Sequence, residues 1–510
     1  MFVSLRSMGL LGVDAFPVSV EVDLSRGLPA FDIVGLPDIA IKEARDRVRS
    51  AIKNCGFTFP QQKIVVNLAP ADVRKVGPLY DLPILLGLLL SSGQCDFSPL
   101  GRAFVGELSL SGEVRPVNGV LSMALLARER GAREFYVPAA NAREAAVVEG
   151  LSVYPVTHVT QLLDHLTGKK ALAPQAATPF SQEEEVDFAV DFLEVKGQFE
   201  AKRALEVAAA GSHNLLMVGF PGTGKSMLAK RLPTILPPMT FEEAVETTKI
   251  YSAAGLLPPG EALVTHRPFR SPHHTVSPAG LTGGGSNPRP GEISLANHGV
   301  LFLDELPEFP RNTMEVLRQP LEDGRVCISR ASARVTYPSQ VMLVCAMNPC
   351  PCGYHNHPTK SCSCTPNQIT RYLGRISGPL LDRIDIHVEL SPVEFRDLAS
   401  NLPQEGSAQI RQRVCRARAV QQERYRGTGI TCNAQLTPAL LQTHCVLQPE
   451  ARTLLQRAFD AMGLSARGYD RILKVARTIA DLDGSETVSR SHVAEALQYR
   501  SLDRKYWGQD

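Results

Sequence analysis

The sequence lacks three features that would each point to a class of protein: a charge excess, a membrane-length apolar run and an export signal. Its 54 Lys and Arg residues nearly balance 52 Asp and Glu residues, so the formal net charge is only +2 and any basic surface must be local. The longest apolar run near the start, 82–90, contains Pro83 and Gly87 and is far shorter than the roughly 20 residues that cross a bilayer, so it predicts a buried helix. Residues 1–13 lack a basic segment followed by an apolar one and a cleavage site, which favours a cytoplasmic protein.

The eleven cysteines do not indicate a disulfide framework, since their number is odd and four of them lie within fifteen residues. These four form two C-x-C pairs separated by nine residues, which can present four thiolates to a tetrahedral Zn²⁺. Because the usual spacing is C-x₂-C or longer, reduced thiols in a solvated loop and a redox pair stay open as alternatives. The predicted ligands are Cys350, Cys352, Cys362 and Cys364, with His355 or His357 as substitutes.

The length of 510 residues and the 44% hydrophobic content predict two to four folded units, each with its own core. Residues 1–168 mix strand-like alternation with helical patterns, as in an α/β domain. A Pro-, Gln- and Glu-rich linker at 169–189 leads to residues 190–392, where apolar strands alternate with helices as in a parallel sheet covered on both faces. From 393 to 510 the pattern is almost wholly helical.

A phosphate-binding motif is the sharpest signal in the chain. Residues 219–226 read GFPGTGKS and match G-x-x-x-x-G-K-[ST], with an apolar strand before them and a helix after them. Glycines allow backbone N–H groups to surround phosphates, while Lys225 would reach the β and γ phosphates and Ser226 would ligate Mg²⁺. The predicted nucleotide contacts are Gly219, Phe220, Pro221, Gly222, Thr223, Gly224, Lys225 and Ser226.

Two further apolar strands end in side chains suited to ATP hydrolysis. The strand 300–303 runs into Asp304, which would hold Mg²⁺ through water, and Glu305, which would act as general base toward the attacking water. The strand 341–347 ends at Asn348, which would orient that water. Asn348 alone could equally be a strand-end cap, so it supports the prediction without carrying it.

These motifs, with the segments 195–198 and 378–385, resemble the magnesium-chelatase-like AAA+ ATPases, and most closely the YifB/ComM family, over nearly the whole chain. The resemblance implies an N-terminal Lon-protease-like α/β domain, a P-loop domain with a parallel sheet and a C-terminal helical lid. It also implies that Val195, Gly197 and Gln198 line the adenine pocket.

Catalytic arginines follow from the same resemblance. Arg383 matches an arginine that reaches the γ-phosphate held by a neighbouring subunit, which implies a ring, expected to be a hexamer. Arg467 matches the lid arginine called sensor 2, and Arg471, one helical turn later, is the competing choice. A surface helix contact is the alternative for either lid arginine.

Two segments between these motifs would face the pore of such a ring. Residues 325–337 alternate on both sides of a small-residue turn, which predicts a β-hairpin with Arg330 and Arg334 near its tip, suited to a phosphate backbone. Without a ring it would be an exposed hairpin with solvated charges. The stretch 266–285 is too rich in Pro and Gly to continue a helix and predicts a mobile pore-facing loop. Its two adjacent histidines could be metal ligands, but neighbouring side chains point in different directions and rarely share one metal ion.

The first 168 residues resemble the Lon-type fold without its chemistry. Leu79 stands in Gly-Pro-Leu where the peptidase has Gly-Pro-Ser, and it carries no nucleophilic atom. In the segment matching the lysine-bearing part, neither Leu121 nor Met123 can serve as a base. The sequence therefore predicts a scaffold that helps the ring assemble or guides DNA.

The resemblance as a whole implies a ring-forming ATPase that moves on single-stranded or branched DNA, of the kind that promotes branch migration in homologous recombination and natural transformation. ATP and Mg²⁺ are the expected cofactors, with Zn²⁺ as a further metal. An ATPase that remodels a protein partner, as the magnesium-chelatase motor does, is the alternative. A non-hydrolysing scaffold conflicts with the intact pair Asp304 and Glu305.

Overall fold

The computed structural model describes residues 1–180, 188–258, 260–285, 288–330, 333–393 and 404–507. Its strands form two main sheets and three two-stranded ribbons. The strands are β1 Phe2–Leu11, β2 Asp14–Ser25, β3 Ala30–Val34, β4 Lys63–Ala69, β5 Arg102–Phe104, β6 Glu107–Leu108, β7 Val114–Arg115, β8 Glu134–Pro138, β9 Ser152–Val156, β10 Leu215–Gly219, β11 Phe269–Arg270, β12 Gly283–Gly284, β13 Arg289–Pro290, β14 Val300–Leu303, β15 Arg325–Arg330, β16 Ala333–Pro338, β17 Met342–Met347 and β18 Ile386–Leu390.

Helices cover both sheets and make up most of the described chain after β18. The α-helices are Ile39–Lys42, Ala44–Asn54, Asp81–Ser91, Val120–Glu129, Ala142–Ala145, Val159–Leu166, Phe199–Gly211, Lys225–Arg231, Phe241–Ala254, Pro278–Thr282, Glu292–Leu295, Arg311–Glu315, Arg318–Asp323, Pro366–Leu373, Gly378–Leu381, Ser407–Arg424, Pro438–His444, Pro449–Met462, Ala466–Leu482 and Arg490–Gln498. Among the described helices, none combines the length and the apolar character needed to cross a membrane.

The first sheet has seven strands in the order β3-β4-β2-β1-β5-β8-β9 and mixes parallel and antiparallel pairs. Alternate residues of β2 are buried, as expected for a strand with one face on a core. The apolar helix Asp81–Ser91 lies entirely inside that core, which confirms the buried helix that the sequence predicts.

The second sheet is parallel, in the order β11-β14-β17-β10-β18. Its three central strands are buried along their whole length, since helices pack on both faces. The register pairs Val218 with Met347 and Leu303 with Cys345, so the ends of β10, β14 and β17 lie side by side. A mixed α/β fold with a parallel sheet is therefore what the sequence predicts and the structure contains.

One predicted strand is wrong in detail. The pattern 104–110 predicts a single strand, but the chain is in β5 only to Phe104 and resumes in β6 at Glu107. Between them Gly106 leaves the sheet, because its N–H donates to Leu79 O at 2.9 Å and its carbonyl accepts from Leu82 N at 3.1 Å. Tertiary hydrogen bonds of this kind override the local alternation.

The two sheets are joined through the helix Phe241–Ala254. Near its end, Ser252 Oγ accepts a hydrogen bond from Gly119 N at 3.0 Å, and Lys249 Nζ lies 3.1 Å from Asp14 Oδ1. Val13, in the turn between β1 and β2, is buried in the core that covers the second sheet. The first sheet is thus packed directly on the unit that contains the phosphate-binding motif.

Candidate nucleotide-binding site

The loop after β10 has the backbone shape of a phosphate cradle. Gly222 and Gly224 adopt φ values of +82° and +90°, which side-chain-bearing residues rarely adopt. The helix Lys225–Arg231 begins directly after Gly224, so the sequence GFPGTGKS folds as strand, loop and helix in the predicted register. Successive N–H groups in such a loop can surround an anion.

The side chain of Lys225 folds back and hydrogen-bonds to the phosphate loop. Its Nζ donates to Gly219 O at 2.7 Å, Phe220 O at 3.0 Å and Asn348 Oδ1 at 3.0 Å. Burial lowers the pKa of Lys225 to about 8, and the nearby carboxylates of Asp304 and Glu305 partly oppose this shift. A polyphosphate would offer the ammonium stronger partners than these three oxygens.

Ser226 and Asp304 meet at the edge of the sheet, as the sequence predicts. Ser226 Oγ donates to Asp304 Oδ2 at 2.6 Å, and Glu305 N donates to Asp304 Oδ1 at 2.9 Å. A hydroxyl and a carboxylate are the hard oxygen donors that Mg²⁺ prefers, alongside water and phosphate. These two side chains fit a magnesium ion shared with a nucleotide.

Glu305 has a backbone conformation and a neighbour that the sequence does not reveal. It lies in the left-handed region at φ +52°, which costs a non-glycine residue about 1–2 kcal/mol. Its side chain is half exposed, and its Oε2 lies 3.8 Å from His274 Nδ1. The loop 271–276 therefore reaches the predicted general base, a contact that its interpretation as a pore-facing loop does not include.

Of the residues predicted for the adenine pocket, Gln198 contacts the phosphate loop. Val195 is fully buried, while Gly197 and Gln198 both adopt left-handed backbone conformations. Gln198 Nε2 donates to Thr223 O at 3.1 Å and to Ser391 O at 2.8 Å. Gln198 thus ties the predicted adenine side of the site to the phosphate loop.

Arg383, Arg467 and Arg471 lie elsewhere, in a cleft of about 580 Å³. Other lining residues immediately precede strands of the second sheet: Asn214 precedes β10 and Gly299 precedes β14. The cleft is therefore at the amino ends of the parallel strands, whereas the phosphate loop is at their carboxyl ends. None of the eight motif residues lines it.

Within this cleft the two lid candidates differ in their partners. Arg471 is almost completely buried, and its Nη2 donates to Asp382 Oδ1 at 2.8 Å. Arg467 is exposed, and no ion pair joins it to any described carboxylate. Arg383 pairs with Glu322 and donates from Nε to Arg318 O at 2.9 Å. Arg467 is the arginine with the freedom to reach an added ligand.

The cysteine cluster has the dimensions of a tetrathiolate metal site. The sulfur atoms of Cys350, Cys352, Cys362 and Cys364 lie within 4.8 Å of one another. Tetrahedral zinc with Zn–S bonds of about 2.3 Å places its sulfurs about 3.8 Å apart. The observed separations include 3.4 Å for Cys350 and Cys352, 3.8 Å for Cys350 and Cys362, and 3.6 Å for Cys352 and Cys362.

The substitute histidines are not part of this cluster. His355 contributes its backbone N–H, which donates to Cys350 Sγ at 3.3 Å. His357 Nδ1 accepts from the backbone N–H groups of Thr359 and Lys360.

The pKa of Cys352 is lowered to about 5 by hydrogen bonds from backbone N–H groups, of which the one from Tyr354 has the largest effect. The lowered pKa favours the thiolate that a metal requires.

The cysteine loop packs on the phosphate loop, which the sequence does not indicate. The rings of His357 and Phe220 lie 4.6 Å apart. Gly353 has φ +86°, and a Cβ atom on it would lie 2.6 Å from Pro221 Cγ. Because Asn348 bonds Lys225 and precedes Cys350 by two residues, the candidate metal site and the candidate ATP site share a wall.

The hairpin predicted at 325–337 is present as β15 and β16. One face is buried through alternate residues such as Val326 and Val335, and the opposite face exposes Arg334. Ser329 pairs with Arg334, which places this arginine near the turn. The side chain of Arg330 lies outside the described residues.

A strand, a glycine-rich phosphate loop and a carboxylate-bearing strand of the same parallel sheet, separated from the first by β17, define a P-loop nucleotide-binding protein. Family models refine that class: "Magnesium chelatase, subunit ChlI" matches residues 191–398, "Subunit ChlI of Mg-chelatase" matches 20–141, and "Magnesium chelatase, subunit ChlI C-terminal" matches 404–500.

Comparison with individual proteins identifies the family within the magnesium-chelatase-like group. Competence protein ComM of Haemophilus influenzae and the uncharacterized protein YifB of Escherichia coli are each 45% identical over 509 residues, covering 98% of this chain and 97% of the relative. The 38 kDa magnesium-chelatase subunit of Chlorobaculum parvum is 23% identical over 336 residues, 60% of this chain and 88% of that protein. The chain belongs to the ComM/YifB family of magnesium-chelatase-like AAA+ proteins.

Proposed function

We propose that this protein is an ATPase whose catalytic sites form between subunits of a homo-oligomeric ring. The observation that carries the proposal is the convergence of Lys225, Asn348 and the Ser226–Asp304 pair at the carboxyl edge of the second sheet. Lys225 and the loop N–H groups bind the phosphates, while Ser226 and Asp304 hold Mg²⁺, which supplies charge neutralisation when bound. Glu305 takes a proton from the attacking water, and Asn348 orients that water.

The proposal of a ring is supported by where the arginines lie. Arg383 and Arg467 line a cleft at the amino edge of the sheet and cannot reach the phosphate loop of their own chain. Facing a neighbour, the same cleft would present two arginines to that neighbour's γ-phosphate. We propose Arg383 as the trans-acting arginine and Arg467 as sensor 2, with a hexamer as the assembly.

The domain organisation is part of this proposal. Residues 1–168 form a Lon-protease-like domain without the catalytic dyad, 169–189 a linker, 190–392 the AAA+ core and 393–510 a helical lid. This division is supported by the seven-stranded sheet, the parallel sheet and the helices that follow β18. Limited proteolysis checks it, with first cleavage expected inside the linker.

The proposed work of the ring is movement on DNA, leading to branch migration in recombination and natural transformation. It is supported by the competence protein among the relatives and by the hairpin that exposes Arg334. Arginine contacts to a phosphate backbone are strong and independent of sequence. Arg330, on the other hairpin strand, is proposed as the second backbone contact.

Steady-state ATP hydrolysis, with and without single-stranded, duplex and four-way-junction DNA, tests the proposal, with Lys225→Ala as the inactive control. We expect stimulation by DNA that fades as salt rises and weakens in Arg334→Ala. Hydrolysis that no DNA changes at any salt concentration would favour the other candidate, an ATPase that remodels a protein partner, as the relation to magnesium-chelatase subunits suggests.

We also propose that the four clustered cysteines hold one structural zinc ion. Metal analysis of the purified chain should give about one zinc per chain. Cys352→Ser should lose most of it, while Cys327→Ser, an exposed cysteine outside the cluster, should keep it. Zinc-free protein after purification with zinc present would leave reduced thiols or a redox pair as the better interpretation.

A further inference from the structure

A cleft of about 570 Å³ lies where the first sheet meets the hairpin. Its walls come from the end of β1, the segment 72–79, the segment 116–118, the end of the helix Phe241–Ala254, and β16. The segment 72–79 contains the Gly-Pro-Leu sequence at which a peptidase of this type would have its nucleophile. By the resemblance to the Lon-type fold, the cleft corresponds to the place of the peptidase site, and the hairpin lines one side of it.

The lining lacks the groups of a Lon-type peptidase. The residues that line the cleft include no Ser, Thr, Cys, Lys or His. The side chain of Leu79 is buried, and Gly77, with φ +86°, shapes the loop before it. A cavity of this size can hold an extended chain, but it lacks the hydroxyl or thiol nucleophile and the amine or imidazole base that such a peptidase uses to cleave one.

The charges around the cleft are unbalanced. Arg74, Arg289 and Arg334 line it from three separate segments, and all three are exposed. Within the described parts of the chain, no carboxylate forms an ion pair with any of them. Of the two acids in the lining, Glu107 lies 3.7 Å from Arg115, and the exposed Asp72 leaves the three arginines in excess.

We propose that this cleft binds the sugar-phosphate backbone of a single nucleic-acid strand and leads it from the hairpin toward the first sheet. The inference rests on the proposed function, because Arg334 belongs both to the hairpin and to the cleft. Guanidinium groups bind phosphate oxygens bidentately, and three of them on separate segments match a repeating anion better than a single charged group.

The apolar walls suit a strand as well. Leu10, Leu11, Val76 and Val117 provide a surface on which bases or sugars can rest while phosphates face the arginines. An acidic peptide would satisfy the arginines too, but only a nucleic-acid strand continues onto a hairpin proposed to grip DNA. The former peptidase groove would thus keep its ability to hold an extended chain and bind a different polymer.

The test is the salt dependence of single-strand binding by the full-length double variant Arg74→Ala/Arg289→Ala, with Arg334 left in place. Fluorescence anisotropy of a labelled mixed-sequence oligonucleotide gives the slope of log K against log salt. Losing two phosphate contacts should reduce that slope by about 1.4. Arg26→Ala/Arg133→Ala, which removes two exposed arginines outside the lining, should leave it unchanged.

The outcomes separate this inference from the proposed function. An unchanged slope in the cleft variant, together with a reduced slope in Arg334→Ala, overturns the cleft while the DNA motor stands. No oligonucleotide binding by the unmodified protein overturns both. Polyglutamate at equal charge concentration serves as a competitor. If it displaces the oligonucleotide from the unmodified protein but not from the cleft variant, the occupant is an acidic peptide instead.

Two further measurements test whether the arginine variants fold and where the oligonucleotide binds. Thermal melting should give equal midpoints for both arginine pairs, since exposed unpaired side chains contribute little to stability. Benzoylphenylalanine placed at Leu11, which is 38% exposed at the cleft, should cross-link to the oligonucleotide in the unmodified background. Absence of that cross-link, with cross-linking from the hairpin retained, would place the strand outside the cleft.

Discussion

At the scale of single residues, Lys225 links nucleotide binding to pH. Its pKa of about 8 results from burial against neutral oxygens, and bound phosphates would raise it. Below pH 8 the free lysine is already charged, whereas above pH 8 binding must take up a proton. The apparent affinity for ATP should therefore fall about tenfold between pH 7 and pH 9.

Titration calorimetry in buffers of different ionisation enthalpy measures that proton uptake directly. We expect uptake approaching one proton near pH 9, and none attributable to this site in Lys225→Ala. An affinity that stays level across this range, with no proton uptake, would mean that the free lysine is fully charged.

His274 is the second residue for which the structure predicts an effect on ATP turnover. Its Nδ1 lies 3.8 Å from Glu305 Oε2, which is ion-pair distance when the imidazole is protonated, so His274 is a candidate positioning residue for the proposed general base. His274→Ala should lower turnover about tenfold and leave ATP affinity unchanged, because general-base positioning acts in the hydrolytic step. His266→Ala is the matched control, since this exposed histidine of the same stretch has no described contact with Glu305 or His274, whereas the His273 ring packs 4.0 Å from that of His274. Equal effects of the two variants would argue for a general loop effect.

Much of the candidate site could be predicted residue by residue, because each motif residue follows a strand whose end is fixed by its apolar pattern. Lys225, Asp304 and Asn348 come together for that reason. The His274 contact could not be predicted, since a Pro- and Gly-rich loop carries no periodicity that fixes where its side chains point.

At the scale of elements, the cysteine loop supports the phosphate loop. His357→Ala removes the ring contact with Phe220, which is worth about 1 kcal/mol, so ATP should bind about fivefold more weakly. His355→Ala removes a neighbouring ring for which no described contact with the phosphate loop exists. Nucleotide affinity from a fluorescent ATP analogue distinguishes the two.

Metal content should be equal in both histidine variants, because neither ring belongs to the sulfur cluster. A loss of metal in His357→Ala would make that ring a ligand and would contradict the packing interpretation.

Elements made of continuous apolar runs could be predicted, and those set by tertiary contacts could not. The apolar helix Asp81–Ser91 and the strands β10, β14 and β17 follow from such runs. The break between β5 and β6 depends on hydrogen bonds from Gly106 to residues about 25 positions away, which local patterning cannot encode. The packing of the cysteine loop on Pro221 is long-range in the same sense.

At the scale of the whole molecule, shared sites predict complementation between inactive variants. Lys225→Ala would lack a working phosphate loop and Arg383→Ala would lack the proposed trans-acting arginine, so each alone should hydrolyse little ATP. In a randomly mixed ring, a quarter of the junctions combine an intact loop with an intact arginine. If equal amounts of the two variants are mixed and reassembled into rings, ATP turnover should recover to about a quarter of the wild-type value.

Complementation is measured as ATP hydrolysis after subunit exchange, with each variant mixed with itself as the control. Failure to recover activity in rings shown to contain both variants, by pull-down through an affinity tag on one of them, would place the arginine in its own subunit's site.

The parallel sheet also sets how adjacent catalytic sites communicate. In the proposed ring, each subunit binds one nucleotide at the carboxyl ends of its strands and touches the next at their amino ends. The five residues of β10 make that separation about 16 Å along a hydrogen-bonded rod that does not stretch. In such a ring, this strand would hold the arginines of each subunit at a fixed distance from the nucleotide bound by the same subunit, so a shift of one site would be transmitted to the next without being absorbed by the sheet.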